Sequence, residues 1–588
     1  MPPNQTTARS RWRPAPIAGA VLVCSLCACA TSTPRATPTA PEPAPQRYEH
    51  AETQALVSLV NDAARLIQSQ GEGAFSTFRV THSRWRQDET YIFVLDPSGN
   101  MLVHLDPAME GKNQMGLKDV NGRPVIVGLL NATTAAPGKR EGWYHYQWPV
   151  PGGLLARWKS SYVREVSAPS GKRYVVGSGM YNDRMERAFV VDAVTNAANE
   201  VRQRGRAAFP LFYDPRGPFL VKDSYVFVFN PAGRELVNPA FPNLEGRNLL
   251  DLKDTQGKQL VRAMFDVVQT RGSGWVDYMW PKPGESVSTQ KSTYVTRVNV
   301  DGDWLLVGCG VYLADAPTSS AEIPTMDAPD LMQLVREGAA VFADRGARAF
   351  PEFRVKGSKW FSDDTYFFVW DMDGQRVFHA ADPSIEGRRA SDEKDVLGRP
   401  YGKMFLETAA SPAGEGWVHY MYPEPGEIFP VWKSAFVKRV RFPSGKDHLV
   451  GAGVYRMQMN KAFIEDLVNR AASQVAARGD GAFAELRDKT GPFYFMDTYV
   501  FVDTPDGVEV SNPAQPSIEG VNIIDVVDAK GQPLVRNYID AALKKGAAWV
   551  DYWWYKPGQN TPWHKQAYVR AVRYGARTYI VGSGIYVQ

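Results

Sequence analysis

Near its C-terminus the chain reads Thr498-Tyr499-Val500-Phe501-Val502-Asp503-Thr504-Pro505-Asp506-Gly507-Val508-Glu509-Val510, and this stretch decides the fold. Aromatic and β-branched residues fill Thr498 to Val502, which is typical of a strand. The Pro-Asp-Gly turn at 505 to 507 then returns the chain into Val508 to Val510. By its turn chemistry the stretch predicts a β-hairpin.

The residues on either side of the hairpin extend this prediction to a whole domain. From Lys461 to Ala477 apolar residues recur at helical spacing, and Gly479 is the expected C-cap. A polar connector with a second helical stretch near Leu534 to Leu543 follows the hairpin. Three strand candidates come last, at Ala548 to Trp554, Lys565 to Arg573 and Thr578 to Ile585. This order resembles a PAS-like α+β domain, with helices on one face of an antiparallel sheet and space for a small ligand under the connector.

The same landmarks occur four times in the same order. Each copy starts with an amphipathic helix that ends at a glycine: Gly71, Gly205, Gly346 and Gly479. Each then has an aromatic strand, a tryptophan strand (Trp143, Trp275, Trp417, Trp549), a lysine (Lys159, Lys291, Lys433, Lys565) and a small-residue strand. The glycines are 134, 141 and 133 residues apart. Spacings of this length allow each copy to bury its own core.

Copies 1 and 3 resemble each other, and copies 2 and 4 share a different set of residues. Trp158-Lys159 of copy 1 returns as Trp432-Lys433, whereas Trp275-Val276-Asp277-Tyr278 of copy 2 returns as Trp549-Val550-Asp551-Tyr552. This A-B-A-B order indicates the duplication of a two-domain unit. The residues after Ala314 are rich in Ala, Pro and Ser, as linkers are. We therefore expect two A-B pairs hinged near residue 320.

The landmarks divide the chain into predicted segments. These are a signal peptide (1–30), a Pro/Ala/Thr-rich tether (31–48), domain 1 of A type (49–183), domain 2 of B type (184–313), a linker (314–328), domain 3 of A type (329–456) and domain 4 of B type (457–588).

The first thirty residues are typical of an export signal. Three arginines precede a short apolar stretch from Ile17 to Leu26, and small residues follow it. Ala28-Cys29-Ala30 fits an ordinary signal peptidase site, whereas Leu26-Cys27-Ala28-Cys29 resembles a bacterial lipobox in which Cys29 would carry the lipid. We favour the lipoprotein, because three of the four cysteines lie here and a tether follows. Ala30 after Cys29 resembles the sorting pattern for the outer membrane.

Composition excludes several other classes of protein. Beyond the export signal only Cys309 remains, so an internal disulfide scaffold is excluded. A net charge of +4 over 588 residues, with both signs interspersed, gives no indication of a nucleic-acid partner. No later apolar run is long enough to span a membrane, so the lipid is the only membrane anchor we expect.

The ordered motifs resemble single Cache domains of the type 2 group, which are extracytoplasmic sensor modules of bacterial chemoreceptors and histidine kinases. In copy 2 the motifs read Gly233-Arg234-Glu235-Leu236-Val237-Asn238, Glu245-Gly246-Arg247-Asn248, Asp254-Thr255-Gln256-Gly257, Gly274-Trp275, Lys291-Ser292-Thr293-Tyr294-Val295 and Val307-Gly308-Cys309-Gly310-Val311-Tyr312. The match covers nearly everything after residue 50. The resemblance implies a pocket on the sheet for small organic acids such as acetate, propionate, lactate or pyruvate.

The four lysines are the first candidates for ligand binding. Each begins a predicted strand beside aromatic residues, and a cation among rings suits a small carboxylate with an apolar tail. The alternative is a strand lysine that packs its stem on an aromatic side chain and reaches solvent.

Tyrosines and two histidines are further candidates. Tyr146, Tyr278, Tyr420 and Tyr552 lie three residues beyond the tryptophans, and the pairs Tyr144 with Tyr146 and Tyr420 with Tyr422 have the two-residue spacing that shares one face of a strand. Tyr162, Tyr294 and Tyr568 follow three of the lysines. Their hydroxyls would donate to the carboxylate, or would instead be held by the backbone in a packed core. His104 and His379 occur in A copies where B copies have Asn238 and Asn512, which indicates two pocket types, although such histidines are often structural. Copy 3 departs from the motif at Arg388-Arg389.

No catalytic signature, metal-ligand spacing or cofactor motif is recognisable, so we predict neither an enzyme nor a cofactor or metal. We expect an exported protein that binds a small organic acid and acts with a membrane sensor or receptor as partner. The rival hypothesis is a ligand-free scaffold of the cell envelope.

Overall fold

The computed structural model describes residues 48–587, except residues 88, 152–154, 182–183, 286, 301, 314–325, 363–364, 426–427 and 560. The predicted signal peptide, Cys29 and the linker around residue 320 lie outside the described residues. In the part that is described, no helix has both the length and the apolar character needed to cross a membrane.

The described chain repeats one order of elements four times. Copy 1 comprises α1 (Ala51–Gln70), α2 (Phe75–Phe78), β1 (Arg86–Gln87), β2 (Thr90–Tyr91), β3 (Phe93–Leu95), β4 (Met101–Val103), α3 (Val125–Ala132), β5 (Glu141–Pro149), β6 (Ala156–Ser167) and β7 (Arg173–Tyr181). Copy 2 comprises α4 (Arg187–Arg204), β8 (Leu220–Val221), β9 (Ser224–Phe229), β10 (Glu235–Val237), α5 (Leu260–Arg271), β11 (Ser273–Pro281), β12 (Ser288–Val300) and β13 (Asp303–Tyr312).

The second pair repeats the first. Copy 3 comprises α6 (Ala328–Arg345), α7 (Phe350–Phe353), β14 (Phe361–Ser362), β15 (Thr365–Asp371), β16 (Arg376–His379), α8 (Tyr401–Ala410), β17 (Glu415–Pro423), β18 (Pro430–Arg441) and β19 (Asp447–Tyr455). Copy 4 comprises α9 (Lys461–Arg478), α10 (Phe483–Leu486), β20 (Tyr494–Phe495), β21 (Thr498–Tyr499), β22 (Phe501–Asp503), β23 (Glu509–Ser511), α11 (Leu534–Lys545), β24 (Ala547–Tyr555), β25 (Pro562–Tyr574) and β26 (Arg577–Val587). The predicted domain boundaries stay predictions, and α6 begins one residue before the boundary at 329.

Each copy contains one main antiparallel sheet of five or six strands, in which the N-terminal hairpin pairs with the last strand, and copies 1 and 4 add a two-stranded sheet. The order is β4-β3-β7-β6-β5 in copy 1 and β23-β22-β26-β25-β24 in copy 4. Because the last strand is central, the three C-terminal strands and the hairpin form one continuous surface. The predicted α+β fold with a long N-terminal helix on an antiparallel sheet is confirmed.

Two cores lie on opposite faces of each sheet. In copy 1, α1 packs on the face that carries Trp143 and Tyr162. Helix α3 packs on the other face, with Tyr144 and Tyr146. The prediction that the helices share one face is therefore wrong. The connector carries the second helix around the edge of the sheet, and there it covers the face on which the lysines lie.

Within each A-B pair the first helix of the B domain packs against the sheet of the A domain. Phe189 of α4 lies with its ring centroid 4.5 Å from that of Trp143, and Phe463 of α9 lies 4.6 Å from Trp417. A buried arginine of the A connector also reaches into the B domain. Arg123 Nη1 donates to the carbonyl oxygen of Gly217 at 2.6 Å, and Arg399 Nη1 donates to that of Tyr494.

Candidate functional site

Each site lysine lies on the middle C-terminal strand, between two tyrosines of the neighbouring strands. Lys159 of β6 is opposite Tyr146 of β5 and Tyr181 of β7. The same register places Lys291 between Tyr278 and Tyr312, Lys433 between Tyr420 and Tyr455, and Lys565 between Tyr552 and Tyr586. All four lysines are at most 1% exposed. The alternative of a lysine that reaches solvent is therefore wrong at these positions.

The second glycine of the small-residue strand makes room for the lysine stem. A Cβ atom on Gly179 would lie 2.5 Å from Lys159 Cε, and one on Gly310 would lie 2.5 Å from Lys291 Cε. These distances are below any real Cβ contact, so only glycine lets the lysine cross the strand. The Gly-x-Gly motif of the sequence is thus part of the lysine site.

Tyrosine rings of the hairpin strand and the last strand enclose each ammonium group. Lys291 Nζ lies 4.0 Å from the ring centroid of Tyr225 and 4.9 Å from that of Tyr312, which are cation–π distances. The corresponding nearest rings in the other copies are Tyr91 at 4.1 Å, Tyr366 at 3.8 Å and Tyr499 at 4.3 Å.

The copies differ in what the ammonium group binds. Lys159 Nζ donates to Tyr91 Oη at 2.9 Å, Lys433 Nζ to Tyr455 Oη at 3.1 Å and Lys565 Nζ to Tyr499 Oη at 3.2 Å. Lys291 Nζ has no hydrogen-bond partner among the described residues.

Burial disfavours the charged form of these lysines. It lowers the pKa of Lys159 to about 7, that of Lys291 to about 8 and that of Lys565 to about 7, each against a smaller opposing effect of nearby carboxylates. An anion beside the ammonium group would reverse this shift, because an opposite charge favours the charged form.

The first set of predicted tyrosines lies on the lysine face, but some hydroxyls already have partners in the sheet. Tyr146 Oη and Ser161 Oγ are 3.0 Å apart, and Tyr278 Oη and Thr293 Oγ1 are 2.9 Å apart. Tyr420 and Tyr552 occupy the equivalent buried positions. These rings form the wall of the pocket, as expected, and in copies 1 and 2 the hydroxyls are held by the neighbouring strand.

The second set of predicted tyrosines lies on the other face of the sheet. Tyr162, Tyr294 and Tyr568 are each three residues beyond a lysine, and side chains alternate between faces along a strand. Their rings pack 5.2, 5.3 and 5.5 Å from Trp143, Trp275 and Trp549. Their assignment to the ligand pocket is therefore wrong, since they belong to the core under the long helix.

His104 and His379 lie beside the lysine pockets of the A copies and also shape the backbone. His379 Nδ1 accepts the backbone N–H of Asp382 at 2.9 Å, as Asn512 Oδ1 accepts that of Gln515 at 2.9 Å in copy 4. Burial lowers the pKa of His104 to about 4 and that of His379 to about 3. Since Nδ1 accepts, the proton of the neutral ring lies on Nε2. In copy 1 that nitrogen is 3.4 Å from Tyr91 Oη.

The four pockets differ in the paired residues beside the hairpin turn, which we call the floor residues. The sequence-based predictions did not include them. A residue at the end of the first hairpin strand, or next to the end in copy 3, pairs with the first residue of the second strand. The pairs are Leu95 with Met101, Phe229 with Glu235, Trp370 with Arg376, and Asp503 with Glu509. All eight side chains are buried. The aligned position that holds Met101 in copy 1 holds a charged residue in the other three copies, and this difference could have revealed the floor residues.

The charged floor residues either form hydrogen bonds with neighbouring side chains or have raised pKa values. Arg376 Nη1 donates to Glu393 Oε1 at 2.9 Å. Burial raises the pKa of Glu235 to about 8. Asp503 and Glu509 lie together in copy 4, where Tyr538 Oη donates to Asp503 Oδ2 at 2.8 Å. Here the pair is buried in the core.

Copy 3 contains a cavity of about 20 Å³ at the lysine. Its lining includes Tyr366, Arg376, His379, Tyr420 and Lys433. The volume suits about one water molecule, so a carboxylate enters only if the surrounding side chains move. A groove of about 590 Å³ on copy 4 is larger, but residues such as Asp480 and Arg577 line it and no site lysine does.

The acidic motif residues hold the connector rather than the ligand. Glu245 Oε1 accepts the backbone N–H of Asn238 at 2.7 Å, and Asp254 Oδ2 accepts that of Met279 at 3.0 Å. Every copy repeats both contacts, with Glu110, Glu386 and Glu519 and with Asp119, Asp395 and Asp528.

Two curated proteins resemble part of the chain. The methyl-accepting chemotaxis protein McpP of Pseudomonas putida is 29% identical over 99 residues, which are 17% of this chain and 18% of McpP. The sensor histidine kinase MctS of Rhizobium johnstonii is 34% identical over 100 residues, which are 17% of this chain and 21% of MctS. The chain thus matches about a fifth of the length of each relative.

Solved structures with sequence similarity are single sensor domains. A periplasmic sensor domain of a chemotaxis protein is 31% identical, with a TM-score of 0.19, over 21% of this chain and 90% of that one. A Cache chemosensory domain, solved for the structural basis of carboxylic acid recognition, is 26% identical, with a TM-score of 0.19, over 21% and 91%.

A family model gives the broadest match. The model described as the Cache domain matches residues 77–186, 218–321, 354–490 and 482–588. These ranges contain all four site lysines and all four sheets, and together they cover more than half of the chain. The chain therefore belongs to the Cache domain family.

Proposed function

We propose that the chain binds small carboxylates outside the cytoplasm, in the pockets of its site lysines. The observation that carries this proposal is Lys291, whose ammonium group is fully buried without a hydrogen-bond partner among the described residues. A buried charge left alone is costly, and a carboxylate both neutralises the ammonium group and accepts hydrogen bonds from it.

The surroundings of the lysine favour a short ligand. Tyr225 and Tyr312 flank the ammonium group of Lys291, so a carboxylate placed there would have its apolar tail against aromatic rings. In copies 1, 3 and 4 the ligand would take the place of the tyrosine hydroxyl as acceptor.

We further propose that ligand binding is reported to a membrane sensor or receptor. Cache domains are extracytoplasmic sensing modules, and the relatives McpP and MctS are a chemotaxis protein and a sensor histidine kinase. Closure of the connector over a ligand would favour one domain arrangement through its higher affinity for that state. A lipid on Cys29 would hold the chain at the envelope, with the outer membrane as the proposed site.

A thermal-melting screen with C2 to C6 mono- and dicarboxylates tests the proposal. A ligand at about 100 times its Kd should stabilise its domain by roughly 2.7 kcal/mol. Lys159, Lys291, Lys433 and Lys565 are each changed to Met, and Lys172→Met serves as the control, because Lys172 lies at the surface in an ion pair with Glu72. A shift lost with one site lysine and kept in the control identifies the binding copy.

The rival function is a ligand-free scaffold, and one observation favours it. In copies 1, 3 and 4 the ammonium group already has a tyrosine hydroxyl as partner. If every compound leaves the melting of a cooperatively folded protein unchanged, the scaffold replaces the binding protein.

A further inference from the structure

The loops between the first two C-terminal strands differ between A and B domains. In the A domains they end in apolar residues, Leu154-Leu155 in copy 1 and Ile428-Phe429 in copy 3. At the same positions the B domains have Ser286-Val287 and Asn560-Thr561. Apolar loop ends that recur in one domain type indicate that something covers them.

The loop of copy 3 packs on copy 2, which belongs to the other pair. Asn243 Nδ2 of the short helix Pro242–Leu244 donates to the carbonyl oxygen of Ile428 at 2.6 Å. The ring centroid of Phe429 lies 4.9 Å from that of Trp280 and 5.8 Å from that of Phe241, edge to face in both cases. Aromatic pairs in this geometry are stabilising.

These contacts lie directly outside the lysine pocket of copy 2. Trp280 Nε1 donates to Tyr225 Oη at 3.0 Å, and the Tyr225 ring lies 4.0 Å from Lys291 Nζ. A chain of contacts through Trp280 and Tyr225 thus connects Phe429 to the ammonium group.

The loop of copy 1 makes the equivalent contact with copy 4. The backbone N–H of Ala156 donates to Ser517 Oγ at 3.4 Å, and Leu155 packs on the lysine-side core that contains Tyr499 and Tyr552. Ser517 is the middle residue of the short helix Pro516–Ile518, as Asn243 is of Pro242–Leu244. The same contact therefore occurs twice, each time from an A domain to the B domain of the opposite pair.

The A copies lack this cover in the described part of the chain. The lysine-side cores of copies 1 and 3 are packed by residues of their own domain, such as Trp148 and Tyr422.

We infer that the A-type loops regulate access to the B-type pockets: Phe429 of copy 3 seals the pocket of Lys291, and Leu155 of copy 1 seals the pocket of Lys565. This regulation rests on the proposed function for its ligand, but the seal itself is a property of the contacts. Ligand exchange in copies 2 and 4 then requires release of the loops, so it is coupled to the arrangement of the two pairs.

Brief reductive methylation of the full chain with formaldehyde and cyanoborohydride, read out by peptide mass spectrometry at each site lysine, tests the seal without a carboxylate ligand, because neither reagent releases a carboxylate. Phe429→Gly should raise the labelling rate of Lys291 by about tenfold, because local opening controls access to buried groups. Leu155→Gly should do the same at Lys565. Each variant is the control for the other, and Lys159 reports any general loosening.

Asn243→Ala and Ser517→Ala provide a second pair of variants that keep the apolar loops. They should raise labelling at Lys291 and at Lys565, respectively. Unchanged labelling in the loop variants, or an equal rise at Lys159, overturns the seal. Selective labelling in a protein that no carboxylate stabilises would retain the seal and reject the proposed function.

Discussion

An ammonium group among tyrosine rings is the residue-scale feature on which the site depends. The rings attract the cation, but burial removes the water that would solvate the ammonium group. The charge of Lys291 is consequently the least supported of the four, because it has no hydrogen-bond partner in the described residues. A bound anion would supply the partner that this ammonium group lacks.

Ligand affinity should depend on pH through the lysines. Burial lowers the pKa of Lys159 to about 7 and that of Lys291 to about 8 in the free protein. A bound carboxylate favours the charged form and raises the pKa in the complex. Affinity is therefore fully present below the free pKa and falls as pH rises from the free toward the bound pKa.

We expect Kd to increase by up to about tenfold per pH unit above the free pKa. Calorimetric titration between about pH 6 and pH 9 measures this, and buffers of different ionisation enthalpy should reveal proton uptake on binding. A Kd that is constant over this range would show that the lysine does not pair with the ligand.

The acid pair of copy 4 should make folding depend on pH. Burial raises the pKa of Asp503 to about 7. A raised folded-state pKa contributes stability below the unfolded value near 4, and this stability is lost as pH rises through about 7. Burial also raises the pKa of Glu509, so the double variant Asp503→Asn with Glu509→Gln should remove the loss, of which Asp503 alone accounts for roughly 4 kcal/mol between pH 4 and pH 8.

Urea unfolding of copy 4 at both pH values measures this dependence. Asp506→Asn, at an exposed residue of the same hairpin turn, is the matched control. If the wild type, the double variant and Asp506→Asn lose the same stability on raising the pH, the buried pair is not its source.

At this scale the sequence predicted the lysines but not their surroundings. Lys159 recurs in register with Lys291, Lys433 and Lys565, so repetition alone selected it. Asp503 and Glu509 lie inside the hairpin with which the sequence analysis began, but the sequence did not predict their burial. Burial depends on which face of the hairpin packs on the core, and the residue pattern of one strand does not determine that face.

At the scale of elements, the last strand sets the geometry of the site. It is central in the sheet, and its two glycines leave space for side chains of the two neighbouring strands. One glycine makes room for the stem of the lysine, and the other makes room for an aromatic ring of the hairpin strand. A Cβ on Gly177 would lie 2.5 Å from Phe93 Cζ, as one on Gly179 would from Lys159 Cε. This strand therefore has little freedom to change sequence.

Gly179→Ala should displace the lysine of copy 1. The new Cβ would lie 2.5 Å from Lys159 Cε and 2.4 Å from Ser161 Oγ. Overpacking of this kind costs about 1–3 kcal/mol, so we expect a lower melting temperature for copy 1 and loss of any ligand shift there.

Gly116→Ala is the control, because a Cβ atom added to Gly116 would meet no neighbouring atom within 4 Å. Shortening the lysine in the double variant Gly179→Ala with Lys159→Ala should recover part of the stability. Equal melting of Gly179→Ala and Gly116→Ala would contradict the close approach.

Element order was predictable because helix, hairpin and strands each have a local pattern. The face of each helix was not. Helix α3 and helix α1 are both amphipathic, and only the path of the connector around the sheet edge places them on opposite sides. The position of Tyr162 was predictable, in contrast, because it lies three residues beyond Lys159 on β6 and alternation places the two side chains on opposite faces.

At the scale of the whole molecule, the two pairs are joined by more than their linker. Within a pair, a helix and a buried arginine cross the domain boundary. Between pairs, the A-type loops rest on the B domains. The A-B-A-B order of the sequence indicated the pairs, but the cross-contacts involve residues far apart in the chain, such as Asn243 and Ile428, that no local pattern relates.

Cutting the linker should therefore open the B-type pockets when the protein is diluted. Each loop contact is small, and small interfaces are weak between separate molecules. In the intact chain the linker keeps the pairs at an effective concentration on the order of 1 mM, which makes the contacts intramolecular. A protease site introduced between residues 314 and 325 allows the folded chain to be cut at this point.

Reductive methylation of the cut protein with formaldehyde and cyanoborohydride, at about 100 µM and about 1 µM protein, should then show faster modification of Lys291 and Lys565 at the lower concentration. Lys159 should be unaffected, because the cover it has comes from its own domain. The uncut protein at the same two concentrations is the control, and its labelling should not change on dilution. If size-exclusion chromatography shows that the halves separate while Lys291 stays protected, copy 2 closes its own pocket and the loop of copy 3 is only a spacer.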